Sequence, residues 1–359
     1  MTGKTVRFAT FNVSMSADMP TRMFDELRQN SKRIQKLAAI IQHVNPDVLL
    51  LCEFDHPGEG GDDGSLAYFC SEYLDVSNFG GSAVQYPYRY LAPSNTGLPI
   101  LANDDVSNSP ERAQGFGCHH GQYGFAVLSR YPLRVDDVRS WQTLLWKDFP
   151  QSRLPVDYYS PDVASKLRLS SKNHVAIPVD LDGTSITLVA CHPTPPVFDG
   201  PEKRNLKRNA DELKLLEAII SNDQRLVDDD GNSGGICADM PFVVMGDLNA
   251  DCLNGDGDKL AIGSLLGHAR MNDDKPPKSQ GALEYLARNK GQNKAMATHN
   301  RGLRLDYVLP SNDLKVIDSG VFWPLKNSAL HAFITDKRGR LSFDAPSDHR
   351  LVWVDVALI

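Results

Sequence analysis

The stretch PFVVMGDLNAD, from Pro241 to Asp251, decides the fold of this chain. Its four apolar residues, Phe242 to Met245, predict a short buried strand. Gly246 ends the apolar run, and Asp247 and Asn249 follow on the turn beyond it. A strand fixes the side chains at its end, while the following loop leaves them accessible. The stretch therefore predicts a pair of functional polar groups.

Two other interpretations of this stretch stay open at this point. Gly, Asp and Asn are ordinary turn-forming residues. Asp247, Asn249 and Asp251 also match the first three acidic positions of a calcium-binding loop. That loop requires Gly at the position of Cys252, Glu at the position of Asp258, and a preceding helix instead of a strand. The rest of the chain has to decide between them.

Composition is typical of a globular protein. The chain has 359 residues, 41% of them apolar and 23% charged, and a formal net charge of −7. This charge argues against a general nucleic-acid coat, which normally carries a basic face. No apolar run approaches the roughly 18 residues of a membrane span. The six cysteines show no metal-type spacing, and one or two disulfides stay open.

In the first half of the chain, two predicted strands end in polar groups. Val6 to Asn12 forms a strand that ends in an amide, and Ile34 to Ile41 shows the apolar spacing of a helix. Val48 to Cys52 is apolar on both faces, predicts a central strand, and is followed by Glu53. An ionised Glu directly after a buried strand is costly unless it is paired, binds a cation or emerges into solvent.

The second half also contains predicted strands that end in polar groups. His174 to Leu181 and Ser185 to Cys191 predict a hairpin across Asp182-Gly183, which runs into His192. The later elements are a helix from Leu206 to Ile220, a strand from Leu303 to Leu309 that contains Asp306, and Ser347-Asp348-His349 before a closing strand from Leu351 to Val356. No internal repeat or linker is visible. The simplest architecture is one domain of two packed sheets with helices outside and the polar strand ends at one edge.

The polar strand ends together resemble the endonuclease/exonuclease/phosphatase superfamily, which has the deoxyribonuclease-I-like fold. The resemblance is carried, in the family's order, by Asn12, Glu53, His192, Gly246-Asp247-Leu248-Asn249, Leu305-Asp306-Tyr307 and Ser347-Asp348-His349. It implies an α+β protein, a four-layered α/β sandwich with two packed mixed β-sheets flanked by helices, that spans residues 1–359 as a single domain. It also implies hydrolysis of a phosphoester with a divalent metal.

The resemblance assigns roles residue by residue. Glu53 is implied as the metal ligand, with Asn12 and Asp348 close to the ion. The implied catalytic residues are Asp247 and Asn249, which orient or activate water, His349 for acid/base work, Asp306 as its partner, and His192. The His192 position matches the deoxyribonuclease and lipid- or inositol-phosphatase branches, and the apurinic endonuclease branch usually lacks it.

The chemistry of these residue types agrees with those roles. Hydrolysis of an anionic phosphoester needs cationic charge on the phosphoryl oxygens, a positioned water and stabilisation of the leaving oxygen. Carboxylates such as Glu53 and Asp348 suit Mg²⁺, with Mn²⁺ or Ca²⁺ as alternatives, better than zinc. A histidine beside a carboxylate has its charged form stabilised, which raises its pKa.

Long insertions near 54–121 and 140–172 distinguish the chain from small family members. The subgroup of bacterial, often secreted proteins that the chain resembles is indicated by Asn95-Thr96-Gly97, Gly115 to Arg130, Ser170 to His174 and His192 to Asn209. A secreted or periplasmic location is therefore an expectation, although no signal peptide is seen. Such loops would rim the site and select the substrate. The candidate substrate-binding residues beside them are Tyr123, Lys172, His174, Arg204 and Arg208.

The favoured function is a metal-dependent phosphatase or phosphodiesterase that acts on a small, lipid or nucleotide phosphoester. The alternative is a deoxyribonuclease-I-like nuclease, which would require a basic groove that the net charge does not indicate. A catalytically inactive binding module is disfavoured because the polar set is intact. The implied partner is therefore a phosphoester, extended nucleic acid is not favoured, and no protein partner is implied.

Overall fold

Two mixed β-sheets pack face to face in the computed structural model of the protein, which describes residues 4–289, 291–342 and 345–358. The larger sheet has the strand order β10-β11-β1-β2-β4-β3, and the smaller has the order β5-β6-β7-β8-β9. The strands of the larger sheet are β1 (Thr5–Met15), β2 (Val48–Phe54), β3 (Tyr88–Leu91), β4 (Phe125–Ser129), β10 (Lys315–Val321) and β11 (Val352–Ala357). Those of the smaller are β5 (Arg139–Ser140), β6 (His174–Leu181), β7 (Thr184–Cys191), β8 (Phe242–Asp247) and β9 (Asp306–Pro310).

Helices flank the two sheets. They are α1 (Arg22–Arg28), α2 (Lys32–Val44), α3 (Ser65–Phe69), α4 (Pro161–Lys166), α5 (Arg204–Ile220), α6 (Lys259–Leu266) and α7 (Gln280–Tyr285). The parallel pair β1–β2 is connected through α1 and α2, and the parallel pair β7–β8 through α5. Parallel neighbours need such crossover connections, so the predicted mixed-sheet α+β sandwich is confirmed.

Strand β8 shows how the layers are assembled. Val243 and Met245 enter the core between the two sheets, whereas Phe242 and Val244 enter a second core beneath α5 and α6. Side chains of a strand alternate between its faces, so a strand buried on both sides must be apolar throughout. Each such burial stabilises the fold by roughly 1.5–3 kcal/mol. The run Phe242 to Met245 is therefore apolar at every position because the two faces of β8 enter two different cores.

The elements with strong periodicity lie where the sequence predicts them. The hairpin β6–β7 turns at Asp182 and Gly183, which both have positive φ, 56° and 94°. Strand β4, which pairs with β2 and β3, begins at Phe125. Strand β10 was not predicted, because it is an edge strand in which only the last two residues are buried.

The two insertions are attached to each other by hydrogen bonds. The amide of Asn95, in the first insertion, donates to the carbonyls of Gln142 and Ser170 in the second, at 2.8 Å each. The guanidinium of Arg168 donates to the Asn95 side-chain oxygen at 2.7 Å. The insertions thus form one connected layer, and the single-domain interpretation stays a prediction.

All six cysteines are free thiols, so no disulfide forms. Among the described residues, no helix combines the length and apolar character that a membrane span requires.

Candidate active site

Four strands deliver polar side chains to one edge of the packed sheets. Asn12 lies opposite Cys52 in the β1–β2 ladder, which places it beside Glu53 on β2. Asp247 lies directly opposite Asp306 where β8 pairs with β9. Because β1 packs against β8 and β9, these four side chains converge. The convergence expected from the polar strand ends is present.

Asn12 joins the carboxylates of the two sheets. Its Nδ2 group donates to Glu53 Oε1 and to Asp247 Oδ2, at 3.0 Å each. The Ser14 amide donates to Asn12 Oδ1 at 3.1 Å, and the Ser347 hydroxyl donates to the Asn12 carbonyl at 2.7 Å. The bond from Ser14 fixes which end of the side-chain amide faces the carboxylates, and the bond from Ser347 holds the backbone. Asn12 therefore orients Glu53 and Asp247 through its amide nitrogen.

The two oxygens of Asp247 have different surroundings. Oδ1 accepts a hydrogen bond of 3.0 Å from the backbone N–H of Asn249, whose φ of 53° is tolerated by Asn. Oδ2 lies 3.5 Å from His192 Nε2 and 3.7 Å from His349 Nε2. The turn after β8 thus holds one oxygen and leaves the other facing two imidazoles.

The calcium-loop alternative does not fit this geometry. A strand, β8, precedes the turn. The Asp251 carboxylate accepts hydrogen bonds from the backbone N–H groups of Leu253, Asn254 and Arg304, at 2.8, 2.9 and 2.9 Å. Asp251 therefore stabilises the turn.

His349 is held by a buried carboxylate. Its Nδ1 donates to Asp306 Oδ2 at 2.8 Å, and the Thr298 hydroxyl donates to the same oxygen at 2.7 Å. Because Nδ1 is used in this way, Nε2 is the ring nitrogen that faces Asp247. Asp306, expected inside a strand, is the first residue of β9.

The protonation states follow from burial and neighbouring charge. Burial raises the pKa of Asp247 to about 7. Burial alone would lower the pKa of His349, but the charges of Asp306 and Asp247 raise it to about 10. Burial, together with the charges of Lys172 and His349, lowers the pKa of His192 well below its usual range. At neutral pH, His349 is an imidazolium and His192 is a neutral ring.

Asp348 lies at the outer side of this cluster, next to a histidine that the sequence did not indicate. His299 Nε2 donates to Asp348 Oδ2 at 3.1 Å, and the His299 and His349 rings meet edge to face at 4.7 Å. Burial opposes ionisation of Asp348, but the hydrogen bond from His299 and the charge of His349 hold its pKa well below the usual range. Asp348 is therefore an ionised oxygen donor.

The donor set fits a divalent cation. Ligand atoms of Asp247, Asp306 and His349 lie within 4.8 Å of one another, as do those of His299, Asp348 and His349. Glu53 adds a further carboxylate through its contact with Asn12. A set dominated by carboxylate oxygens suits hard ions such as Mg²⁺, Mn²⁺ or Ca²⁺. The individual ligand assignments, Asn12, Glu53 and Asp348, stay predictions.

Two of the candidate substrate-binding residues interact electrostatically with Glu53. Burial, followed by the charge of Glu53, raises the pKa of Tyr123 to about 12, and the Tyr123 backbone N–H donates to Asp55 at 2.8 Å. The charge of Lys172 acts on both Glu53 and Asp247. The role of Tyr123 and Lys172 in substrate binding stays a prediction.

The other three candidates make structural contacts. His174 is fully buried and shares a hydrogen bond of 2.7 Å with the Ser170 hydroxyl. Arg204 pairs with Glu202 at 2.6 Å, and Arg208 donates to backbone carbonyls of the second insertion. These contacts do not favour a role in substrate binding. For these three residues that role stays a prediction.

Sequence patterns missed Thr298 and His299. Both lie just before β9, in a stretch without helical or strand periodicity, and reach their partners only through folding. A backbone bridge between His299 and His349 brings the two segments together. The Thr-His-Asn stretch before a predicted strand was the only local signal.

The chain belongs to the endonuclease/exonuclease/phosphatase family, whose model matches residues 9–349. The family predicted from the sequence is thereby confirmed. Members of this family are usually divalent-metal-dependent hydrolases of phosphoesters. A comparison with curated protein sequences gives no match.

Solved structures of low sequence identity share the fold. An endonuclease/exonuclease/phosphatase from Beutenbergia cavernae DSM 12333 has 18% identity and a TM-score of 0.56, and the match covers 99% of this chain and 72% of that one. The human Nocturnin catalytic domain with bound sulfate anion has 15% identity and a TM-score of 0.52, with 99% and 95% covered. A family protein from Leptotrichia buccalis C-1013-b has 17% identity and a TM-score of 0.50, with 98% and 100% covered.

Proposed function

We propose that the protein is a divalent-metal-dependent phosphatase or phosphodiesterase that acts on a small, lipid or nucleotide phosphoester. The observation that carries this proposal is the arrangement of Asp306, His349 and Asp247. A buried carboxylate holds an imidazolium whose free Nε2 lies 3.7 Å from a second carboxylate oxygen. This arrangement places a proton acceptor, Asp247, next to a cationic hydrogen-bond donor, His349.

Asp247 is the proposed base. Its Oδ2 faces the site, and a pKa near 7 lets it exist as a carboxylate that can accept a proton at working pH. In the reaction, a water oxygen forms a bond to phosphorus while the bond to the leaving oxygen breaks. One proton of the water passes to Asp247, and the leaving alkoxide takes its proton from solvent.

His349 is the proposed donor to the phosphoryl group. Its Nε2 is too close to Asp247 Oδ2 for the two residues to act on opposite sides of an in-line displacement. We therefore assign both to the attacking side, where the imidazolium N–H donates to a non-bridging oxygen. A preorganised donor of this kind contributes roughly 10²–10³-fold to kcat.

Glu53, Asp348 and the Asn12 amide would hold and orient the cation at the neighbouring corner. When bound, a divalent ion neutralises phosphoryl charge and stabilises the leaving oxygen. The φ of Glu53 is 55°, an uncommon conformation for this residue, and such strain is typical of functional positions.

The test is turnover of p-nitrophenyl phosphate and bis(p-nitrophenyl) phosphate after chelation and after addition of Mg²⁺, Mn²⁺ or Ca²⁺. Wild-type activity should require the added ion. Glu53→Gln should lose most of it and should bind Mn²⁺ more weakly by calorimetry, whereas exposed Glu111→Gln should behave as wild type. Full activity in saturating chelator would overturn the metal assignment.

A further inference from the structure

Lys172 has a buried side chain but no fixed partner for its ammonium group. Lys172 is only 6% exposed, and its Nζ makes no hydrogen bond or salt bridge with any residue in the described ranges. Its charge acts on Glu212, Glu53 and Asp247. The ammonium therefore depends on water or on a bound anion for its hydrogen bonds. An anion bound between Lys172 and the carboxylate cluster would supply the missing hydrogen bonds.

The backbone around Lys172 is fixed on both sides. The N–H and hydroxyl of Ser171 donate to Glu212 Oε1 at 2.6 and 2.8 Å. The carbonyl of Lys172 accepts from the Asn95 N–H at 2.9 Å, and Asn173 Nδ2 donates to the Pro93 carbonyl at 2.9 Å. The position of the lysine is thus determined before any ligand binds.

Helix α5 provides this support through two buried charges one turn apart. Arg208 donates to the carbonyls of Arg168 and Leu169 at 2.8 Å each. Glu212 also accepts a hydrogen bond of 2.7 Å from the backbone N–H of Thr194, which is two residues after His192. A single carboxylate therefore ties the segment that carries Lys172 to the segment that carries His192.

We propose that Lys172 is a catalytic residue that donates a hydrogen bond to a non-bridging oxygen of the substrate's phosphoryl group, and that Glu212 is the residue that positions it. This inference rests on the proposed function. It accounts for an unpaired ammonium, a rigid backbone beneath it and a fully buried glutamate in one arrangement. The interaction strengthens as negative charge develops on the phosphoryl oxygens, which makes it useful to catalysis.

The first test measures binding of inorganic phosphate to the Mg²⁺-loaded protein by calorimetry, so that it does not depend on turnover. Lys172→Met should weaken the Kd for phosphate by about 10–100-fold, as expected for a lost charged hydrogen bond. Lys172→Arg should retain part of the affinity. Lys147→Met, an exposed lysine of the same insertion, should leave the Kd unchanged.

The alternative role of Lys172 is to neutralise the negative charge of the carboxylate cluster. In that case Lys172→Met would tighten Mn²⁺ binding and leave the phosphate Kd within about twofold of wild type, and the proposal would be wrong. If the wild type binds phosphate through Lys172 but hydrolyses no ester, the proposed function fails, and Lys172 is an anion-binding residue instead of a catalytic one. If esters are hydrolysed equally well by Lys172→Met, only the inference fails.

The second test concerns Glu212 and uses a double-mutant cycle. Glu212→Gln keeps one oxygen acceptor, so one of the two supported segments loses its hydrogen bond. The variant should weaken the phosphate Kd by roughly 3–10-fold. It should cause no further loss in the Lys172→Met background, because the positioned group is then absent. Glu212→Gln could instead weaken the phosphate Kd and lower the Tm by the same amounts in the wild-type and Lys172→Met backgrounds. That result would show that Glu212 acts on the fold alone.

Discussion

Replacing Asp306 with Asn tests the charge that keeps His349 protonated. The change removes the negative charge 2.8 Å from Nδ1 and keeps the size of the side chain. The rise of the His349 pKa from 6.5 to about 10 corresponds to roughly 5 kcal/mol of preference for the charged ring. An opposite charge at this distance shifts a pKa by about 1–3. We therefore expect the His349 pKa of the variant to lie at about 7–9.

The same change has a defined effect on stability. Because the folded pKa of His349 lies above its unfolded value, the ring stabilises the fold fully below pH 6.5, and this contribution is lost as the pH rises through about 10. The loss in unfolding free energy caused by Asp306→Asn should therefore be greatest near pH 6 and should shrink toward pH 10. It should reach about 1–4 kcal/mol at pH 6.

The assay is an NMR titration of ¹³C-labelled histidine in chelated protein, with His349→Ala used to assign the resonance. Urea unfolding at pH 6, 8 and 9.5 gives the stability difference, and exposed Asp274→Asn serves as the charge-matched control. The alkaline limb of the kcat profile should move to lower pH in the metal-loaded variant. An unchanged His349 pKa in Asp306→Asn would refute the reasoning.

Three further outcomes follow from the structure. His349→Ala should lower kcat by about 10²–10³-fold, measured at saturating metal and substrate, and an effect below threefold would contradict its role as donor. A duplex-gripping nuclease with about six phosphate contacts would lose roughly 10³-fold in affinity between about 50 and 200 mM salt. We expect only a modest change in KM for a small ester, and efficient, salt-sensitive plasmid cleavage that is absent from Asp247→Ala would favour the nuclease. Gly115→Ala should cost about 1–3 kcal/mol in denaturant unfolding, because its Cβ would lie 1.8 Å from the Ser171 carbonyl oxygen, whereas Gly263→Ala, with open space around its Cβ, should be neutral or stabilising. Equal stability of the two glycine variants would contradict the packing argument.

The sequence predicts best what local periodicity controls. The apolar run of β8 and the spacing of α5 were both visible, because burial on one or two faces dictates which residues appear there. The convergence of Asn12, Glu53 and Asp247 was also predictable, since strand ends of packed sheets share an edge.

Long-range contacts of loop residues could not be predicted in the same way. The pairing of His299 with Asp348 joins segments 49 residues apart, and that of Glu212 with Ser171 spans 41. No pattern within either segment indicates its partner. Likewise Arg208 resembles a solvated residue of a basic helix start, and only the structure shows that it is buried against carbonyls.

The amide of Asn12 reaches from the larger sheet to a carboxylate of the smaller one. The residues of the candidate site are therefore divided between the two sheets, and the site is complete only when the sheets have packed together. A refolding chain that has formed either sheet alone holds half of the set. After dilution from denaturant, activity should thus return when the two sheets pack together, which is later than the return of secondary structure.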